Sequence, residues 1–135
     1  MTERNDCKVT GGSVEIEWCA QERIAIVRYG PNTNLTAPDG TFLVGSLQGW
    51  IGDDGEPFSV LAFARGVRGT DAAYRAIASG FFRKHRDVAG IALLNMGPVM
   101  TVVTEMFRIG TGIPLKAFSE EAAARDWLAT TRARR

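Results

Sequence analysis

The hexapeptide Arg65-Gly-Val-Arg-Gly-Thr70 brings two arginines, two glycines and a hydroxyl together directly ahead of a helical pattern. Such a combination suits anion binding. Glycine lets backbone approach a ligand, arginine supplies paired donors, and the free N–H groups and dipole of a helix start favour negative charge. The same residues also read as a plain connection with a Thr cap and solvated arginines. A second candidate, Asn95-Met-Gly-Pro98, follows an apolar run and precedes another helical pattern. Loops leaving neighbouring parallel strands share one edge of a sheet. Arg65, Gly66, Arg68, Gly69 and Thr70 are therefore expected beside Asn95 and Gly97, with two helix starts converging on one ligand- or partner-binding edge. For Asn95 and Gly97 the simpler reading is a cap and a tight turn. Neither loop fits a phosphate-binding Walker loop or a dinucleotide fingerprint.

Catalytic chemistry has less to work with. His85 is the only histidine. It falls at the far end of the helix that Thr70 opens, roughly 20 Å away at about 1.5 Å per residue, beyond any nucleophile–base contact. With Arg83, Lys84 and Arg86 it reads as charge complementing a helix C-terminus, or as a small basic patch. Asp53, Asp54 and Glu56 miss the spacing of a calcium loop and read as a solvated turn. One histidine and two cysteines, Cys7 and Cys19, with no Cys-x-x-Cys, make neither a zinc site nor a disulfide framework. No catalytic residue, metal ligand or cofactor is assigned.

The elements that position these residues follow from periodicity. Residues 1–12 read as a polar N-terminal arm and residues 13–135 as a single domain. Val14, Ile16 and Trp18 alternate with Glu15 and Glu17, the pattern of a strand with one wet, acidic face, and Arg23 to Tyr29 returns as a more buried strand. Thr36 is placed to cap a helix with Pro38 and Asp39 in its first turn and Leu43, Val44, Leu47, Trp50 and Ile51 on one face, ending at Gly52. Gly40, Gly45 and Gly49 inside it each cost about 1 kcal/mol relative to Ala, which predicts a close neighbour. Phe58–Phe63 and Val88–Leu94 are continuous apolar runs of covered strands. Between them Thr70 or Asp71 caps a helix with Tyr74, Ile77, Ala78, Phe81 and Phe82 inward. Pro98 opens a helix with a Val99, Val102, Val103, Met106, Phe107 stripe. A last strand, Pro114 to Phe118, leads to a helix facing inward through Ala123, Ala124, Trp127 and Leu128 and closed by Arg132, Arg134 and Arg135. Trp18, Trp50 and Trp127 read as core or dimer contacts. The order β-β-α-β-α-β-α-β-α predicts an α/β fold with a single mixed, mostly parallel sheet.

Composition narrows the functional classes. The chain has 135 residues, 45% apolar and 23% charged, as an ordinary globular domain does. Sixteen Lys plus Arg against fifteen Asp plus Glu leave a net charge of +1, so no global field recruits nucleic acid. No apolar run approaches the roughly 18 residues of a transmembrane segment, and the expected location is cytoplasmic.

The C-terminal stretches Val88-Ala-Gly-Ile-Ala-Leu-Leu-Asn-Met-Gly-Pro98 and Pro114-Leu-Lys-Ala-Phe-Ser-Glu-Glu-Ala-Ala-Ala-Arg-Asp-Trp-Leu128 add a further signal. With the helix between them, and with the element order from Val14 to Arg132, they resemble the STAS fold of bacterial-type anti-sigma-factor antagonists. The resemblance is closer to the SpoIIAA-like (STAS/SEC14-domain) branch. It implies a regulatory, protein-binding module in which a Ser or Thr at the start of the second helix is phosphorylated to control a partner kinase. Thr70 occupies that place, although Gly69 stands where the antagonists carry Asp and no Gly follows in the first turn.

Three functions follow. The first is a non-catalytic regulatory or protein-interaction module, as a homodimer in one form, presenting Arg65–Thr70 and Asn95–Pro98 to a protein partner or a small anion. The second is a binder of an apolar ligand, a lipid or acyl group, beneath the glycine-containing first helix. The third and weakest is a small hydrolase or transferase, since no convergent acid–base pair stands at a recognised spacing.

Overall fold

A computed structural model describes residues 7–52, 54–85 and 87–134. Asp53, Arg86, Arg135, residues 1–6 of the polar arm and the side chain of Val99 lie outside the described residues. Three strands precede the first parallel pairing: β1 (Lys8–Gly11), β2 (Val14–Cys19) and β3 (Ile24–Tyr29). They form an antiparallel meander, β1 arising within the segment read as a polar arm. β4 (Thr33–Leu35) leads into α1 (Ala37–Ile51), and β5 (Phe58–Phe63) and β6 (Val67–Thr70) into α2 (Ala72–Lys84). β7 (Val88–Leu94), α3 (Pro98–Thr111), β8 (Leu115–Phe118) and α4 (Glu121–Ala133) complete the chain. The main sheet has the order β1-β2-β3-β5-β7-β8, with β3, β5, β7 and β8 parallel. β4 and β6 pair in parallel as a separate small sheet. The expected alternation and mixed sheet are found, enlarged by three short strands of three or four residues, β1, β4 and β6.

Alternation along the strands builds two apolar layers. Val14, Ile16, Trp18, Ala25, Val27, Phe58, Val60, Ala62, Ile91 and Leu93 face one side, against α1, α2 and α3. Ile24, Ile26, Leu61, Ala92 and Leu94 face the other, against Ala124 and Leu128 of α4. α4 packs on β5, β7 and β8, so the matching face of β1 and β2 stays polar. There Arg28 Nη1 lies 3.2 Å from Glu17 Oε1 and 3.7 Å from Glu15 Oε2, and Lys8 Nζ 3.5 Å from Glu15 Oε2. This is the wet acidic face expected of β2, neutralised by its neighbours, and each exposed pair contributes at most about 1 kcal/mol.

The caps follow the expected chemistry. Thr36 and Asp39 form a reciprocal capping box on α1, and Gly52 ends the helix at φ 55°. Asp71, not Thr70, is the N-cap of α2, its carboxylate accepting the Tyr74 N–H at 2.8 Å. Of the three glycines of α1, only Gly40 has a close neighbour: a Cβ there would stand 3.3 Å from Ile77 and Tyr74 of α2. Gly45 and Gly49 face open space, so the close packing expected of all three holds for one. Trp18 of the core stacks with the half-buried Trp50 at 6.0 Å between ring centroids, and Trp127 packs over Gly90 of β7.

The expected stripe of α3 is displaced. Met100, Thr104 and Thr111 are buried, whereas Val102 and Met106, with Ile109, are 62%, 67% and 71% exposed. The apolar residues of α3 fill about half of its circumference, opposite Thr101, Thr104, Glu105, Arg108 and Thr111. Among the described residues only the edge of that half at Met100, together with Thr104 and Thr111, turns fully inward, so the buried face is rotated from the apolar stripe.

Candidate functional site

Small side chains on both walls leave a gap between the sheet and helices α2 and α3. Ala62 of β5, Ala64 just beyond it, and Ala78 and Ser79 of α2 face a cavity of about 280 Å³. Val27, Val60, Ile91 and Leu93 form its floor, and Met100, Val103 and Phe107 of α3 its roof. The roof is thinly held. Phe107 meets Phe82 edge-on at 5.8 Å, the Thr104 hydroxyl donates to the Met100 carbonyl at 2.9 Å, and the same oxygen lies 3.6 Å from Met96 Sδ.

Polar groups sit at two places. Inside, Tyr29 and Tyr74 line the wall and are hydrogen bonded to each other, the Tyr74 hydroxyl donating. Burial pushes the Tyr29 phenol up to about 12 against the opposing pull of that hydrogen bond. Tyr74 is raised well above 10, first by burial and then by Tyr29 itself. Both phenols stay neutral at physiological pH and add no charge to the cavity. At the mouth, Arg75, Ser79 and Arg83 recur every four residues along α2 and so share one face of it. Arg75 Nη1 donates to the Thr70 carbonyl at 2.6 Å and to the Thr70 hydroxyl at 3.0 Å. Arg83 Nη2 comes within 3.7 Å of where a Cβ on Gly110 would stand, so the absence of a side chain there admits the guanidinium beside α3.

Of the site residues expected from sequence, Thr70 alone lines this cavity. Arg65 is exposed, and Arg68 Nη1 donates to Asn32 Oδ1 at 2.6 Å across the β4–β6 connection. Gly66 is required for close approach: a Cβ would fall 2.1 Å from the Gly30 carbonyl oxygen. Gly69 packs beside Asn34. Asn95 takes φ 60° and its N–H donates to the Phe118 carbonyl at 3.0 Å, while Gly97 is the N-cap of α3. The Ala64 N–H donates to the Leu94 carbonyl at 2.9 Å, which sets the two loops side by side as expected. The Asp71 carboxylate already occupies the N-terminus of α2, where an anion was expected.

By sequence none of Tyr29, Tyr74, Arg75, Arg83, Met100 and Phe107 falls at the ligand-binding edge: Tyr74 and Phe107 read as core stripes and Arg83 as helix-end charge or a basic patch. Their signal is the run of small residues at Ala62, Ala64, Ala78 and Ser79, whose meaning depends on knowing which strand and helix face each other. The cavity also lies elsewhere than the sequence suggested: of α1 only Leu43 lines it, and none of that helix's glycines does. His85 is the C-cap of α2 and packs on Phe81 with ring centroids 4.4 Å apart. Burial, then the carboxylates of Glu17 and Glu22, push the Cys19 thiol up, away from nucleophilic character. Among the described residues no three acidic, histidine or cysteine side chains gather as a metal site, and no helix is long and apolar enough to cross a membrane.

Neither a protein-family model nor a curated protein matches the sequence. Solved structures do match the fold. A Shewanella loihica PV-4 protein of the DUF3478 family, described as having a SpoIIAA-like fold, superposes with a TM-score of 0.67 at 17% identity, over 89% of this chain and 98% of that one. The anti-sigma factor antagonist SpoIIAA in its unphosphorylated form superposes with a TM-score of 0.53 at 15% identity, over 86% and 97% of the two chains. The parallel strands β3, β5, β7 and β8, the helices between them and the leading antiparallel strands thus make up a SpoIIAA-like fold.

Proposed function

We propose that the protein is a non-catalytic binding module that holds a single-chain apolar ligand, an acyl group, in the cavity beneath α3. The observation that carries this reading is the 280 Å³ apolar space with its cationic mouth. An engineered cavity of about 150 Å³ accommodates benzene, so this space takes roughly ten carbon atoms. Such a tail buried among Val60, Leu93, Met100 and Phe107 leaves its head at the mouth, where Arg83 and Arg75 favour a carboxylate or another anion. The test is displacement of a fluorescent undecanoic acid by decanoate. One-to-one binding, weakened about tenfold by Arg83→Gln through loss of a charge-assisted hydrogen bond, supports the reading. No saturable binding overturns it.

A second reading, a regulatory protein-interaction module, is supported by the exposed apolar residues Val102, Met106 and Ile109 and by the fold shared with an anti-sigma factor antagonist. In this reading Thr70 is the switch. A phosphate there would face the Arg75 guanidinium that now holds the hydroxyl, adding charge at the cavity mouth. Arg65, Gly66, Arg68, Gly69, Asn95 and Gly97 then shape the edge offered to a partner or to a second copy of the chain. Thr70→Glu and Thr70→Ala separate the readings: if neither changes partner binding or acyl affinity relative to wild type, Thr70 is not a switch.

A further inference from the structure

On the opposite face of the sheet a second cleft of about 440 Å³ opens between the C-terminal half of α4 and the starts of β3 and β5. Its floor is Ile24 and Leu128, and its rim carries Glu22, Arg125 and Arg132. Ser59 also lines it. Alternating with Leu61, Ser59 points to the α4 side; it is 1% exposed, and its hydroxyl has no hydrogen-bond partner. Its backbone is satisfied, the N–H donating to the Arg23 carbonyl at 2.9 Å, so only the side chain is unmatched. A buried hydroxyl without a partner destabilises the fold, and alanine would fill nearly the same volume without that cost.

The rim explains what the hydroxyl is suited to meet. Arg132 donates to the Glu22 carbonyl and so ties α4 to the β2–β3 turn. Arg125 donates through Nε to Glu121 Oε2 at 2.9 Å, an arrangement that occupies one of the five N–H groups of its guanidinium. The two guanidinium groups are balanced by the carboxylates of Glu22 and Glu121, so the rim carries no surplus charge, and its remaining N–H donors suit one carboxylate better than a doubly charged phosphate. Directly beneath lies apolar surface.

We infer that this cleft is a binding site for a small organic monoanion, a carboxylate on a compact apolar body, received by Arg125 and Arg132 and by the Ser59 hydroxyl as donor. The site is independent of the cavity beneath α3, lying across the sheet from it.

The experiment is titration of the ¹⁵N-labelled full chain with benzoate. Saturable amide shifts are expected at Ser59, Ala129 and Ala133. Ser59→Ala weakens binding about tenfold, the worth of a hydrogen bond to a charged group, while leaving the melting temperature without benzoate unchanged or higher. Arg125→Gln, which leaves the Arg132 tie intact, weakens it similarly. Three results overturn the inference: no saturable shifts at these amides with benzoate or hexanoate, equal affinity in Ser59→Ala, or shifts confined to Ala78 and Met100 in the other layer. A fall of several degrees in the melting temperature of Ser59→Ala also overturns it, since the hydroxyl would then have a structural partner.

Discussion

Filling the cavity from α2 reports directly on whether that space is open. Ala78 is 6% exposed, lines the cavity, and sits mid-helix, where leucine is nearly as favourable as alanine. Ala78→Leu adds three carbons. At about 0.8 kcal/mol per buried methylene they contribute roughly 2.4 kcal/mol, and fixing the leucine rotamer costs roughly 0.5–1 kcal/mol. The net is a stabilisation of about 1.5 kcal/mol, or about 5 °C in melting temperature for a chain of this length. A closed, native-density core would give the opposite sign, since overpacking destabilises by about 1–3 kcal/mol. Urea denaturation with and without decanoate makes both comparisons in one series. The expected result is a higher midpoint without ligand and a smaller ligand-induced increase, because the new side chain takes the volume the acyl tail needs. A lower midpoint shows that the space is not open. A higher midpoint with undiminished decanoate stabilisation shows that the ligand binds elsewhere. Either result refutes the reasoning.

Two further outcomes follow from local geometry and titration. Gly66→Ala forces a Cβ to within 2.1 Å of the Gly30 carbonyl oxygen, backbone that also accepts the Thr33 hydroxyl at 2.6 Å, and it should cost more than about 3 kcal/mol in the urea midpoint. Tyr29 and Tyr74 bind their protons more tightly folded than unfolded, so their contribution to stability is complete below pH 10 and lost as pH rises from 10 through about 12. Denaturation midpoints should therefore fall over that window. Tyr74→Phe should lessen the fall, and phenolate absorbance of the native protein, to which these two tyrosines alone contribute, should rise only well above pH 10.

The elements most legible in the sequence are those whose local pattern and tertiary burial agree. Phe58–Phe63 and Val88–Leu94 are strands over the whole of their apolar runs, and Thr36 and Gly52 cap α1 as their chemistry requires. The unread elements are those made by pairing. β6, Val67-Arg-Gly-Thr70, contains an arginine and a glycine, has no strand alternation, and is extended because β4 lies beside it. Thr70, which lines the cavity, was singled out from sequence for the ligand-binding edge because it combines a hydroxyl with a helix start. Arg83 was not, because it takes part in the site only where Gly110 of α3 lets the guanidinium approach. A cavity is a relation between elements, and no single segment encodes it.

α3 is where the two proposed readings meet. Its inner residues Met100, Val103 and Phe107 roof the cavity, Met106 lies at the cavity's edge and is largely exposed, and Val102 and Ile109 are exposed without lining it. The apolar arc of α3 is wider than the part of it that the cavity takes up, so an acyl chain beneath it and a partner on its exposed part bias the same element. In that arrangement the coupling is reciprocal: a ligand that changes how α3 sits changes what its outer face offers, by the same factor in both directions. Ile109→Glu tests the division of labour. At 71% exposure the change stays within about 0.5 kcal/mol in stability. It should leave decanoate affinity within about twofold and abolish any self-association seen by analytical ultracentrifugation or any partner binding. Loss of decanoate binding in Ile109→Glu would mean that α3 does not separate an inner from an outer surface, and that the roof is one face of a larger apolar site.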